Sequence, residues 1–107
     1  MQAPSLIWLD AEDEFPAVTH AWGADTPMPG LLAAGGTLDA EHLQAAYRQG
    51  IFPWFSPGQP NLWWSPDPRM VLQTGDFRLH PSLRKTLRKF LHTPGCEVRV
   101  DHDFRQV

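Results

Sequence analysis

Apolar positions along this chain form two helix-like stripes, separated by a long stretch that keeps neither the helical nor the strand period. Between Asp39 and Gln49, the residues Leu43, Ala46 and Tyr47 recur at three- and four-residue spacing, which places them on one helix face. Asp39 stands where a cap would, ready to accept from the N–H of Glu41 or His42. Gly50 follows, where a left-handed glycine commonly ends a helix. Because that face has to be buried, Tyr47 is expected in the core. The second stripe, Leu83, Leu87, Phe90 and Leu91, predicts a helix over Pro81–His92, with Pro81 at the first helical position.

Shorter apolar runs predict strands at Ser5–Leu9, Met70–Gln73, Asp76–Leu79 after the turn at Gly75, and Glu97–Val100, the last continuing raggedly to Phe104. Asp10–Glu14 reads as a solvated acidic connector. Phe15–Pro29, with prolines at 16, 27 and 29 and no period, reads as loop. The segment Gly30-Leu-Leu-Ala-Ala-Gly-Gly suggests a tight turn or a close backbone approach. It lacks the glycine spacing of a dinucleotide fingerprint or a P-loop, so no phosphate loop is predicted.

The aperiodic stretch is Gly50–Arg69, GIFPWFSPGQPNLWWSPDPR. It holds five large aromatics (Phe52, Trp54, Phe55, Trp63, Trp64) and five prolines (Pro53, Pro57, Pro60, Pro66, Pro68). Proline fixes φ and pushes the preceding residue toward extended backbone, so no regular helix runs through it. A stiff, folded-back loop holding bulky rings is expected. By packing alone those rings fill a core; alternatively, a rigid aromatic surface preorganises a site for a flat or apolar group.

With 107 residues the chain suffices for one ordinary domain, or a small one plus part of another. Its 11 prolines cluster, which indicates loop architecture and not disorder. No apolar run has the length to cross a bilayer, the N-terminus lacks a basic region before an apolar one, and Cys96 is the single cysteine. Together these predict a cytoplasmic protein without disulfide or multi-cysteine metal site.

The net charge of −3 hides an asymmetry. Residues 1–77 carry two basic and nine acidic side chains, and residues 78–107 seven basic and three acidic ones. Arg84, Lys85, Arg88 and Lys89 occupy the polar side of the second helix. Arg84–Arg88 and Lys85–Lys89 are like-charge pairs one turn apart, which repel. A basic face is ordinarily just solvated, yet this unfavourable local arrangement also fits an anionic partner such as phosphate, held without base readout.

Other chemistry finds no support. His20, His42, His80, His92 and His102 show no metal-ligand spacing. Strand alternation would turn Asp101 and Asp103 away from His102. Ser56, Ser65 and Ser82 lack a nucleophile-elbow context, and Cys96 has no evident base. No catalytic constellation is complete within the chain.

The segments GLLAAGGTLDAEHLQAAYRQGIFPWF and LWWSPDPR closely resemble the N-terminal part of the leucyl/phenylalanyl-tRNA–protein transferases, and the resemblance runs from about Phe15 to Val107 through SLRKTLRK and VDHDFRQV. It implies an α+β protein: a small N-terminal α/β domain at residues 1–67, then the first β-α-β portion of a GNAT-like acyltransferase domain at 68–107, truncated. It implies an enzyme of the bacterial N-degron pathway that moves Leu or Phe from aminoacyl-tRNA to proteins beginning with Arg or Lys. No metal, organic cofactor or membrane is implied. Trp54 and Tyr47 match residues that line the site of the aminoacylated 3′-adenosine. Lys85, Arg88 and Lys89 match a basic cluster thought to hold the tRNA body, with Pro81 where some members are basic. Trp63, Trp64, Asp67 and Arg69 match a signature of unassigned role, and an Asp67–Arg69 ion pair is expected to fix the loop. The family's proton-relay groups lie beyond Val107, so no catalytic residue is expected in this chain. Acting alone it would be an inactive tRNA-binding fragment, and a protein-interaction module is the remaining alternative.

Overall fold

Trp8–Leu9 (β1), Leu31–Gly35 (β2), Phe52–Pro53 (β3) and Leu62–Trp64 (β4) form one four-stranded sheet in the order β1-β2-β4-β3. This is a computed structural model, and it describes residues 4–106. Two helices complete the architecture, Ala40–Arg48 (α1) and Pro81–Leu91 (α2), giving a small mixed α+β fold. The chain divides into two compact units, one ending at Met70 and the other starting at Val71.

In the first unit β2 is one of the two inner strands, parallel to β1 and antiparallel to β4. This corrects the expectation of a turn at Gly30–Gly36. A strand covered on both faces reads as an unbroken apolar run without alternation, and Leu31, Leu32, Ala33 and Ala34 are all buried. Leu31 pairs with Trp64 and Ala33 with Trp63, so β2 spends two residues where β4 spends one. That irregularity lets Leu32 and Ala33 enter the same cluster, with Ala46, Ile51 and Trp63, while Leu31, Ala34 and Leu62 form a second one.

The close backbone approach expected of the paired glycines is present. Gly35 has φ of +88°, and a Cβ there would lie 2.6 Å from the Leu9 carbonyl oxygen. Strand pairing brings the two main chains together, and only hydrogen fits between them. The expected strand at Ser5–Leu9 is regular over Trp8–Leu9 alone, although Ala34 N–H also donates to Ile7 O at 2.9 Å.

Gly50–Arg69 is likewise more ordered than a loop. Phe52–Pro53 and Leu62–Trp64 pair antiparallel as a hairpin. Its tip turns at Ser56–Gln59, with Pro57 and Gly58 (φ +87°) central, the residue types a type II turn demands. Pro53 is tolerated because β3 is an edge strand.

In the second unit α2 forms as expected, with Pro81 opening it. The strands expected at Met70–Gln73, Asp76–Leu79 and Glu97–Val100 are absent, and no strand among the described residues follows Trp64. A strand exists through its ladder, and no segment among the described residues pairs with these runs. Met70, Val71, Leu72, Val98 and Val100 are exposed, and Asp76 closes a short 3-10 turn, Thr74–Asp76. The expected β-α-β portion is therefore represented by its helix. The stripe of α2 is also open to solvent at Leu83, Leu87 and Leu91.

Candidate functional site

The first helix is closed at both ends by its own sequence. Asp39 Oδ1 accepts from His42 N–H at 2.8 Å, and the His42 ring nitrogen Nδ1 lies 2.6 Å from the same oxygen. The His42 backbone N–H, followed by its ring, holds the Asp39 carboxyl below its ordinary range. In return, the bond to Asp39 pushes the His42 imidazole up. At the other end Ile51 N–H donates to Ala46 O at 2.9 Å and Gly50 N–H to Tyr47 O at 3.2 Å, with Gly50 at φ +74°. This is the two-bond Schellman closure, accompanied by the usual apolar contact of Ile51 within the Ala46 cluster.

That closure turns the chain from α1 into β3, so Tyr47 and Trp54 stand on either side of one turn. Both are outside the core: Tyr47 is 62% exposed and Trp54 73%. The expectation of Tyr47 as a core residue is thereby corrected. Leu43 and Ala46 take the buried face of α1, and Tyr47 sits at its margin. Tyr47 and Trp54, with Leu38, Leu43, Pro53 and Phe55, line one open recess of about 620 Å³. Its walls are rings and aliphatic groups, with no formal charge. Such a surface takes a flat ring by stacking and leaves polar selection to the Tyr hydroxyl and the indole N–H.

Trp63 has the opposite fate. It is fully buried, donates its indole N–H to Gly35 O at 2.9 Å, and meets Phe15 edge to face with centroids 4.7 Å apart. The core reading of the aromatic stretch thus divides by ring: Trp63 fills the core, and Trp54 stands outside it. Trp64 is half-buried, and its indole N–H donates to Trp54 O at 2.7 Å. Arg69 makes no ion pair with Asp67; the ion pairs among the described residues are Asp39–His42 and Glu97–Arg99. Its guanidinium is taken up by three oxygens, Gly50 O at 2.8 Å, Pro66 O at 3.1 Å and Ser65 Oγ at 3.3 Å, while Asp67 faces solvent.

A second recess, of about 420 Å³, lies between the acidic connector and α1 and is lined by Glu12, Asp13, Glu14, Phe15, Glu41, His42, Ala45 and Gln49. Four carboxylates make it hostile to a phosphodiester. In the second unit Lys85, Arg88 and Lys89 are all exposed on α2. Among the described residues, no three His, Cys, Asp or Glu side chains come together as metal ligands would, and no helix is long and apolar enough to cross a membrane.

A family model described as the leucyl/phenylalanyl-tRNA protein transferase N-terminal domain matches residues 36–67. Proteins named leucyl/phenylalanyl-tRNA–protein transferase match nearly the whole chain. The relative from Albidiferax ferrireducens is 60% identical over 99% of this chain and 42% of its own length. Relatives from Paraburkholderia xenovorans and Polaromonas sp. are 58% and 59% identical over 94% of this chain, and over 41% and 39% of their own lengths. The chain belongs to the leucyl/phenylalanyl-tRNA–protein transferase family, in its N-terminal part.

The chain spans about two fifths of the length of these relatives. The family match covers α1, the hairpin and the signature up to Asp67, hence every wall of the aromatic recess. Leu38, Pro53 and Phe55 were not singled out by sequence as recess walls. The Trp54–Phe55 doublet was the available signal for Phe55. For Leu38 and Pro53 there was none, because their place depends on how α1 and β3 meet.

Proposed function

We propose that this chain supplies the wall that receives the 3′-terminal adenosine of an aminoacyl-tRNA, in a transferase that moves Leu or Phe onto proteins beginning with Arg or Lys. The observation that carries this reading is the pairing of exposed Tyr47 and Trp54 on one apolar recess, in a chain 60% identical to a protein named as such a transferase. Stacking of a base on an aromatic ring contributes about 1–3 kcal/mol and needs no base-specific hydrogen bond.

The reaction is aminolysis of an ester. The α-amine of the acceptor protein attacks the aminoacyl carbonyl, an N–C bond forms, the bond to the tRNA 3′-oxygen breaks, and one proton passes from the amine to that oxygen. The ester is already activated, so positioning and that proton transfer supply most of the rate. The recess orients the adenosine and with it the ester. No group in this chain is assigned the proton, and the second unit would begin the acyltransferase domain that carries it, within a cytoplasmic N-degron pathway. Lys85, Arg88 and Lys89 would hold the tRNA body through its phosphates, giving position and not sequence.

The test is titration with leucyl-tRNA, and with the same tRNA lacking its terminal adenosine, at several salt concentrations. Weaker binding of the shortened tRNA supports the recess. For the basic helix, alanine at Lys85, Arg88 and Lys89 should flatten the log K against log salt slope by about two to three. Equal affinities for both tRNAs would remove the adenosine reading.

The exposed cations of α2 favour a second reading, in which this chain binds tRNA without catalysing transfer. Salt-dependent tRNA binding with no transfer of leucine to an Arg-initiated peptide would support it.

A further inference from the structure

Neither Trp64 nor Arg69 lines the aromatic recess, yet both hold the main chain that presents it. The Trp54 peptide is gripped on two sides, its N–H donating to Leu62 O at 3.0 Å and its carbonyl accepting from Trp64 Nε1–H at 2.7 Å. Trp64 can act as an anchor because its ring packs on the buried cluster of Leu31, Ala34 and Leu62. An exposed ring is thereby mounted on backbone tied into the core.

Arg69 does the corresponding work at the other ring. Its Nη2 donates to Gly50 O at 2.8 Å, three residues after Tyr47 and four before Trp54. Nε donates to Pro66 O at 3.1 Å, and Nη2 also reaches Ser65 Oγ at 3.3 Å. Ser65 is itself buried, and its N–H donates to Gly30 O at 2.7 Å, so the guanidinium couples the end of α1 to a segment fixed on the sheet. Charge-assisted bonds from a planar fork are stronger and more directional than neutral ones, and a cation beyond the last turn also suits the negative end of the helix dipole.

We propose that Trp64 and Arg69 are positioning residues, which fix Trp54 and Tyr47 as one preorganised platform without touching its ligand. The proposal rests on the recess receiving the adenosine end of a charged tRNA. A platform whose rings are already ordered avoids the entropy of immobilising them on binding, so loosening either anchor weakens binding although every recess wall remains.

The chain offers clean probes, with one tyrosine and five tryptophans. Labelled with 3-fluorotyrosine, it gives a single fluorine resonance, that of Tyr47. Labelled with 5-fluorotryptophan, it gives a Trp54 resonance identified by its loss in Trp54→Phe. In Trp64→Phe, which removes the indole N–H, the Trp54 resonance should shift or broaden. In Arg69→Lys, which keeps the charge and loses the fork, the Tyr47 resonance should do so. The Kd for leucyl-tRNA should rise about three- to tenfold in each, measured well below the melting temperature. Lower melting temperatures with both resonances and both Kd values unchanged would overturn the proposal. If Trp64→Phe fails to fold, Arg69→Lys and its Tyr47 resonance decide alone. If the resonances respond while neither variant nor Trp54→Ala alters leucyl-tRNA affinity, the anchoring stands and the adenosine reading falls.

Discussion

The indole N–H of Trp63 donates to the carbonyl of Gly35 at 2.9 Å, joining β4 to the end of β2 across 28 positions of sequence. The ring is fully buried between Phe15 and the Leu32–Ala46–Ile51 cluster. Trp63→Ala should therefore lower unfolding stability by about 3–5 kcal/mol, the cost of emptying a packed aromatic site. Denaturant titration reads it directly, and a loss below about 1 kcal/mol would show that Trp63 is not the centre of the core.

Trp54→Ala should behave in the opposite way. With the ring mostly exposed, stability should move by no more than about 0.5 kcal/mol. Affinity for the adenosine end of leucyl-tRNA should fall by about 5- to 150-fold, the equivalent of a lost stacking contact. A collapse of stability instead would return Trp54 to the core.

Gly50→Ala tests the turn between the two platform rings. An added Cβ would meet nothing nearer than Arg69 Nη1 at 3.5 Å, an ordinary contact, so space is not the obstacle. The obstacle is φ of +74°, where an L side chain costs about 1–2 kcal/mol. Urea denaturation should show that loss with an unchanged m-value; a neutral result would mean that the helix end relaxes to another closure.

The Asp39–His42 cap should give α1 a pH window. Asp39 is held below its ordinary 3.8, so its contribution is present above that value and is lost as pH falls through the lowered one. His42 is raised above its ordinary 6.5, so its contribution is complete below that value and is lost as pH rises through the raised one. A backbone hydrogen bond to Ala11 and the neighbouring Glu41 carboxylate also favour its protonated form. The difference in Tm between the parent and Asp39→Ala should thus be greatest between about pH 4 and 6.5 and shrink on both sides. A difference independent of pH would mean that the cap acts only through the backbone bond.

The two helices were legible because their signals are local. A capping aspartate, a left-handed glycine and an apolar stripe each act through residues of the same helix and need no distant partner. The strands were less legible, for two different reasons. Leu31–Gly35 was hidden because a strand buried on both faces shows no alternation, whereas Met70–Gln73 and Glu97–Val100 have the composition of strands and pair with no segment among the described residues.

For the site, the sequence by itself determined that the chain leaves α1 through Gly50 into a run of rings held by prolines, and its likeness to the transferases singled out Tyr47 and Trp54. Only the tertiary structure decided which rings serve which purpose. Trp63 and Trp64 are neighbours in sequence, but one sits in the Leu32–Ile51 cluster and the other against Leu31 and Leu62, with its N–H turned to Trp54. That division follows from the pleat of β4 and from the extra residue β2 inserts opposite it, relations between segments some thirty positions apart that no local pattern records.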